Sequence, residues 1–416
     1  TGSTANDGSV FVNTSAIPVI ALDRVEVLKE GAASVYGSDA VAGVVNYIFR
    51  RDFTGLEVDI TSQETDLGDS EDQRASFIWG AESGDTNLVV AYSALDRSPL
   101  SQSELELAPL GVSGLGTSFL LFGPSTVDSG PYAGTYTAFQ NVPDPNCVAN
   151  KGILIPQASG SRCGFKYGPR FNIVNDEDHD QLYVSLKTAL TSGVNAELDY
   201  LKADTKVYDN PQSPSYPALS YLSPANAIAP GKGGNPFGVP ALWLGRPLGS
   251  AFPSPNAPRE IEVDRLSMSF SGEYDNGFNW DLSYTNSSDS SFGRQPDTST
   301  SRFSAAIAGI AGTSGNLSWN LFDPTANSQE LIDYISTAQE TSISTDLSVL
   351  DYVVTASLGD TNIAAGLQFR DETFDIKRNA ESLAQFTADG SIAVPADLLF
   401  LGVGWPISGR SKWSSL

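Results

Sequence analysis

The sequence predicts a mostly β fold, an antiparallel sheet whose strands run up and down in chain order. Two observations predict it. About nine segments alternate apolar and polar residues with the period of two that a strand requires. The connections between them alternate between tight turns and long loops. The segments are residues 55–65, 73–82, 86–96, 181–190, 194–207, 261–274, 278–287, 345–358 and 362–374.

The tight turns all fall on one predicted edge of this sheet. They are Ser83-Gly84-Asp85, Thr191-Ser192-Gly193, Asp275-Asn276-Gly277 and Gly359-Asp360-Thr361. The long loops, near residues 97–180, 208–260, 288–344 and from 375 onward, fall on the other edge. This sorting is typical of an outer-membrane barrel, and a soluble sandwich is not expected to show it.

Hydropathy does not contradict a membrane location. The mean hydropathy is −0.14, and no run approaches the roughly 20 apolar residues of a membrane helix. Alternating strands of a barrel escape such windows. We therefore expect about nine strands of a larger transmembrane antiparallel barrel, with a tenth starting near Trp413. This chain alone is not expected to close such a barrel.

The first 53 residues follow a different pattern. Residues 23–28 alternate and predict a half-buried strand, and residues 41–49 are β-branched and apolar and predict a second, buried strand. Residues 31–36 can form one helical turn, and Gly37 permits a backbone reversal. The sequence therefore predicts strand, tight turn, strand.

Residues 22–48 resemble the end of the plug domain of TonB-dependent outer-membrane receptors. The family pattern is roughly I-E-R-V-E-V-L-K-G-P-x-S-x-L-Y-G-x-x-A-x-G-G-V-V-N-I-I. The positions that match are Arg24, Val25, Glu26, Val27, Leu28, Lys29, Ser34, Tyr36, Gly37, Ala40, Gly43, Val44, Val45, Asn46 and Ile48. The departures are Asp23 for Glu, Glu30-Gly31 for Gly-Pro, and Ala42 for the first Gly of the pair.

The resemblance implies that residues 1–53 are the C-terminal portion of a small α+β plug domain. Residues 54–416 are then the N-terminal portion of the barrel, and the chain is a fragment without the TonB-contacting box or a leader. The implied function is energy-coupled uptake of a nutrient across the outer membrane of a Gram-negative bacterium, without enzymatic chemistry. The implied partners are the inner-membrane protein TonB, through the missing N-terminal part, a small-molecule nutrient and outer-membrane lipid.

The resemblance also assigns candidate gating positions in the plug motif. They are Arg24, Glu26, Gly31, Ser34, Tyr36, Gly37, Gly43 and Asn46. The side chains of Arg24 and Glu26 share the polar face of the first strand. They either lock the plug to the barrel wall through charge-assisted hydrogen bonds or form an ordinary exposed ion pair.

The composition of the chain limits the classes of partner that it can bind. The net charge is −25, of which residues 1–53, with 4 basic and 6 acidic groups, carry little. An acidic surface of this kind argues against nucleic acid. Cys147 and Cys163 are expected to form a disulfide, because an outer-membrane protein matures in an oxidising compartment. No metal or cofactor is expected, because two cysteines and the distant His179 supply too few ligands.

Aromatic residues are frequent in the long loops. Tyr132, Tyr136, Trp243 and Trp319 are candidates for ligand binding, because aromatic faces beside polar side chains suit sugars and other amphipathic ligands. The alternative is that these rings pack the loops together. The expected nutrient is an oligosaccharide or a siderophore, and the single histidine, His179, makes haem unfavourable. A short loop helix is expected within residues 328–340.

Other functions remain open from sequence. The chain could be a structural or adhesive outer-membrane β-protein whose loops bind a surface partner. A secreted β-rich hydrolase would require the sorted loops to be a coincidence, and no Ser/His/Asp or Cys/His arrangement supports catalysis. The acidic run at residues 176–180 around His179 is either a solvated strand end or a cation site.

Overall fold

The computed structural model of the protein describes residues 3–4, 10–11, 13–29, 43–67, 70–105, 111–191, 193–274, 277–358, 361–400 and 411–415. Two strands of the N-terminal segment, β1 (Leu22–Leu28) and β2 (Val44–Phe49), pair with each other in a separate antiparallel sheet. Two shorter strands, Ser3–Thr4 and Val10–Phe11, form another pair.

The main sheet has ten antiparallel strands, and their order follows the chain. They are β3 (Gly55–Glu64), β4 (Glu71–Ser83), β5 (Thr86–Arg97), β6 (Asp176–Thr191), β7 (Val194–Asp209), β8 (Arg259–Glu273), β9 (Phe278–Thr298), β10 (Ser336–Leu358), β11 (Thr361–Arg378) and β12 (Ser411–Ser415). Each of the nine predicted segments lies on one strand from β3 to β11, and β12 contains Trp413. The mostly β, antiparallel, up-and-down fold is therefore as predicted.

Two strands extend well beyond their predicted ends. The β9–β10 ladder continues to the pair Thr298 and Ser336, whereas the sequence predicted a loop from 288 to 344. This prediction was wrong because the extension is rich in serine and threonine and has no apolar alternation. The predicted loop helix is also shorter, since it ends at Ile335 and β10 begins at the next residue.

The connections are sorted as the sequence predicted. Strands joined by tight turns, such as β4 and β5 or β6 and β7, meet at one edge of the sheet. The long connections, whose described residues are 98–105 with 111–175, 210–258, 299–335 and 379–400, all leave from the other edge. The two outermost strands, β3 and β12, do not pair with each other in the described part of the chain, so the sheet is open there.

One face of the main sheet carries a continuous apolar band. Residues paired across an antiparallel ladder project to the same face, so the register defines rows of side chains. One row crosses seven strands in the order Leu88, Leu186, Leu198, Met268, Tyr284, Leu350 and Phe369. These side chains are partly or largely exposed; the band also contains Ile60, which is 79% exposed, and Leu367, which is 64% exposed.

Tyrosine and tryptophan lie at both margins of this outer band. On the side of the tight turns, the Tyr274 and Tyr352 hydroxyls are 2.9 Å apart, and Tyr274 also contacts the Trp280 ring. On the side of the long loops, the Tyr200 hydroxyl donates to Asp264 at 2.7 Å. Such rings are typical of a membrane interface, because one end is apolar and the other is polar.

The inner face of the sheet is polar by comparison. One residue along from the apolar row, the register gives Val89, Ser185, Asp199, Ser267, Thr285, Val349 and Arg370. A small apolar cluster interrupts this face where the N-terminal segment packs against it. An apolar outer face and a polar inner face form the two-sided pattern of a barrel wall.

The long connections pack together around a core of their own. This loop assembly, residues 98–175, 210–258, 299–335 and 379–400, contains the helices α1 (Thr300–Ala308) and α2 (Gln329–Ile335). Its short strands are Leu100–Ser101, Val112–Ser113, Ser118–Leu121, Ser125–Val127, Gly134–Tyr136, Asn141–Pro143, Ile153–Pro156, Ser161–Lys166, Asn172–Val174, Ala241–Trp243, Gln385–Phe386 and Ile392–Val394. No helix in the described residues is long and apolar enough to cross a membrane.

Candidate functional site

The plug-like motif is described in its two strands. Arg24 donates to Glu26 at 2.7 Å and to Asp23 at 2.6 Å, and about half of each side chain is exposed. The hydrogen bonds to Glu26 and Asp23 raise the pKa of the Arg24 guanidinium. Both ion pairs of Arg24 stay within the strand, so the arrangement is that of the exposed ion pair left open by the sequence.

Gly43 directly precedes the second strand of the motif, and Asn46 lies on that strand. A Cβ at Gly43, which has φ of 146°, would lie 2.7 Å from the Leu28 carbonyl oxygen. Glycine is therefore required where β1 and β2 approach. Asn46 faces Glu26 across the ladder. The other candidate gating positions, Gly31, Ser34, Tyr36 and Gly37, lie outside the described residues.

The contact between the N-terminal segment and the sheet is made beside the motif, at residues 49–53. Arg51 binds the Asp199 carboxylate of β7 through two nitrogens, at 3.0 Å from Nε and 2.6 Å from the terminal nitrogen. The Tyr183 hydroxyl donates to the same carboxylate at 2.8 Å. Phe49 stacks on the Tyr183 ring with centroids 4.4 Å apart. We call the contact of Phe49 and Arg51 with Tyr183 and Asp199 the junction anchor.

Asp199 stabilises the charged form of Arg51 in the junction anchor. Burial disfavours the Arg51 cation, but the hydrogen bonds and attraction of Asp199 outweigh this and raise the pKa of Arg51. Lys187 adds an ion pair with Asp52 at 2.9 Å. The backbone also approaches closely, since a Cβ on Gly80 would lie 2.0 Å from the Phe53 carbonyl oxygen. Glycine at this position of β4 lets the segment touch the wall.

A second contact lies at residues 13–21. Ala16 and Ala21 are buried against the apolar cluster on the inner face, and the Gln181 side chain donates to the Ser15 carbonyl. The backbone amide of Arg50 donates to the Ala21 carbonyl at 2.8 Å, which ties the two contacts together. Residues 13–21 carry no charged side chain, so this second contact contains no ion pair with the sheet. It is held by apolar packing and neutral hydrogen bonds.

A cavity of about 570 Å³ lies beside this second contact and is lined by residues of the 14–22 segment and of the inner face of the sheet. The wall side carries Arg74, Arg97, His179 and Glu57. Arg97 is bound to Asp72 at 2.8 Å and to Glu177 at 2.7 Å. The volume of the cavity lies within the range of small-molecule binding sites. Within the described ranges, no group of three or more His, Cys, Asp and Glu is placed to hold a metal ion.

The aromatic candidates of the loops lie inside the loop assembly. Trp319 is 1% exposed, and Tyr132 and Trp243 are also buried. Tyr132 donates to the Phe322 carbonyl at 2.9 Å, and Tyr136 packs edge-on against Phe237 at 5.2 Å. In this arrangement the rings pack the loops together, which is the alternative that the sequence left open. They are not presented to a ligand from outside.

Two further features hold the loop assembly. Cys147 and Cys163 form the predicted disulfide, and both are buried. Arg246, which the sequence did not single out, is also buried and donates to the carbonyls of Leu115 and Ser215 at 2.9 Å and 2.8 Å. Its guanidinium lies 3.8 Å from the Phe165 ring centroid. Burial lowers the pKa of Arg246 to about 9, so the side chain remains charged at neutral pH.

No protein-family model matches the chain. Its fold is similar to that of several solved outer-membrane receptors. They include a ferric enterobactin receptor mutant from Pseudomonas aeruginosa (13% identity, 96% of this chain and 42% of that one, TM-score 0.46). The siderophore receptor PiuA from Acinetobacter baumannii is also similar (13% identity, 95% and 51%, TM-score 0.37). So is the ferric citrate transporter FecA (11% identity, 87% and 45%, TM-score 0.36).

The chain spans about half the length of these structures or less. With TM-scores below 0.5 and identities near one residue in eight, these similarities do not establish the function of this chain. What its residues can do therefore depends on the apolar outer band, the junction anchor and the loop assembly.

Proposed function

We propose that the chain is part of an outer-membrane receptor that takes up a small organic nutrient in an energy-coupled, TonB-dependent manner. The observation that carries this is the apolar band, which crosses the sheet from β3 to β11 on the face opposite the N-terminal segment. Exposed leucine, isoleucine and phenylalanine in register on neighbouring strands match a lipid-facing wall. The plug-like motif on the inner side agrees with it.

In this proposal residues 1–53 are the end of the plug and residues 54–416 begin the barrel. TonB acts on the plug through a segment N-terminal to this one, and the plug moves relative to the wall. The junction anchor, which includes the ion pair of Arg51 with Asp199, then holds the end of the plug in place. Arg24 and Glu26 act within the plug strand rather than on the wall, as their mutual hydrogen bond supports.

The ligand in this proposal meets the loop assembly first and the inner cavity second. Tyr132, Tyr136, Trp243 and Trp319 reach it only if the loop assembly opens, because packing occupies their rings. Hydroxyls and mixed charges line the cavity, which suits a polar organic molecule. Both an oligosaccharide and a siderophore fit a cavity with this lining.

Paired substitutions on β8 test the membrane placement. Met268 lies in the apolar row, and Ser269 is the next residue, on the inner face. Met268→Arg should destabilise the inserted protein by about 2–4 kcal/mol, because it places a cation in hydrocarbon. Ser269→Arg should have a much smaller effect. The free energy of insertion into phospholipid vesicles, measured by urea titration, checks this, and equal losses in both variants would contradict the proposal.

An adhesive outer-membrane protein is the second candidate, and one observation favours it. The long loops form one assembly around a shared aromatic core, and a disulfide braces the first loop, so the outer side of the assembly offers a fixed surface to a protein partner. Energy coupling separates the two functions. Uptake that stops when the inner-membrane proton gradient is collapsed, while surface binding persists, supports the receptor. Binding without uptake of any nutrient supports adhesion.

A further inference from the structure

We infer that a trough on the outer face of the sheet binds the oligosaccharide headgroup of a glycolipid. The trough lies between the apolar band and the loop assembly, on the same face as the band. It crosses β7 to β11 and has a volume of about 600 Å³. The inference rests on the membrane placement proposed above and adds a second, lipid-side site to it.

The shape of the trough follows from side-chain size. Ser290 and Ser344 face each other across the β9–β10 ladder, with Ser342 beside them. These short side chains form the floor. Longer side chains project from the flanking strands, with Glu262 on β8 and Lys377 on β11. Small residues on two central strands, between longer residues on the neighbouring strands, leave a depression in the outer face.

The lining has the chemistry of a sugar site. Serine hydroxyls both donate and accept hydrogen bonds, and carboxylates accept them, as a polyhydroxylated ligand requires. Phe292 is 37% exposed at the trough, where its face can pack against a sugar ring. Four carboxylates and two lysines line the trough, so its charge is negative. A phosphate-bearing headgroup is disfavoured by this charge, whereas a neutral saccharide is not.

The height of the trough above the band indicates the length of the headgroup. On β9 the outer face passes from Tyr284, in the band, to Ser290, in the trough. Six residues at about 3.3 Å each give roughly 20 Å along the strand. A strand tilt of about 40° reduces this to roughly 15 Å above the band. A single sugar attached to the lipid does not reach this height, but a chain of several sugars does.

Competition between two lipids tests the inference. The full chain is reconstituted with equal amounts of a neutral tetraglycosylceramide and the corresponding monoglycosylceramide, and retained lipids are counted by native mass spectrometry. The wild-type chain should retain the longer glycolipid at least about fivefold better. Ser344→Leu, which fills the floor, should remove this preference. The matched control Ser283→Leu changes an inward-facing serine of β9 that does not line the trough, and it should keep the preference.

Phe292→Ala provides a second variant that adds no bulk, and it should reduce the preference by at least about threefold. A wild-type chain that inserts into vesicles but retains both glycolipids equally would overturn the trough assignment alone. In a parallel reconstitution that also contains phosphatidylglycerol, preferential retention of that lipid would overturn the assignment in favour of an anionic headgroup. A chain that does not insert would contradict the proposed function and this inference together.

Discussion

Loss of the junction anchor should release the N-terminal segment from the wall. Arg51→Ala removes both hydrogen bonds to Asp199 and leaves that carboxylate with the Tyr183 hydroxyl as its remaining donor among the bonds described above. Phe49 still stacks on Tyr183, and Lys187 still pairs with Asp52. The variant should therefore fold and keep the strands of the wall, while the segment opens more often.

The free energy lost in Arg51→Ala depends on how far the Arg51 and Asp199 side chains are exposed to solvent. Exposed ion pairs contribute about 0–1 kcal/mol, whereas breaking a buried pair costs about 3–5 kcal/mol. The Arg51 side chain is 40% exposed and that of Asp199 is 15% exposed, so the pair lies between these limits. We expect about 2 kcal/mol, which is about a 30-fold change in the opening equilibrium.

Native-state hydrogen exchange measures this opening. The amides of Ala21 and Arg50 are hydrogen-bonded in the segment and should exchange about 30-fold faster in Arg51→Ala. Arg24→Ala is the matched control, because its ion pair is exposed and stays within β1. Its effect on the same amides should stay within about threefold. Exchange in Arg51→Ala that remains within threefold of the wild type would refute the anchor.

Three further predictions concern the loop assembly. Reduction of the Cys147–Cys163 bridge should cost roughly 3 kcal/mol of loop stability in the chain-entropy model, and two alkylatable thiols in unreduced protein would rule the bridge out. Trp319→Ala should destabilise the assembly by about 3–5 kcal/mol, seen as loss of its near-ultraviolet dichroism, with ligand binding lost only as the loops unfold. Burial raises the pKa of Asp144 above its ordinary 3.8, so the folded loops hold a proton that the unfolded chain releases. The stability of the loops should therefore fall as pH rises from the unfolded-state pKa through the folded-state pKa. Asp144→Asn should flatten this pH dependence in thermal unfolding.

The strands were predictable where one face is apolar. In β11 the apolar series Ile363, Ala365, Leu367 and Phe369 marks every second residue, and the observed strand includes all of them. The serine-rich ends of β9 and β10 were not predictable, because polar residues on both faces leave no alternation to detect. Pairing with a neighbour that is already in register extends the ladder there.

The site was predictable only in part, for physical reasons. The disulfide followed from the cysteine count and compartment. The junction anchor did not, because Arg51 and Asp199 are separated by 148 residues and meet only because the N-terminal segment packs on the inner face of the sheet. A signal was present in the two adjacent arginines that follow β2, just where the chain leaves the motif. Aromatic residues in loops are ambiguous in sequence, since packing and ligand binding favour the same side chains.

Lipid exposure along β10 tests the central claim most directly. Single spin labels are placed in turn at residues 349 to 354 of the reconstituted chain, and their accessibility to oxygen and to a water-soluble nickel complex is measured. The structure predicts high oxygen accessibility at Leu350, Tyr352 and Val354, and low accessibility at the intervening residues. Accessibility without this alternation, or equal access of the nickel complex to all positions, would contradict a lipid-facing wall.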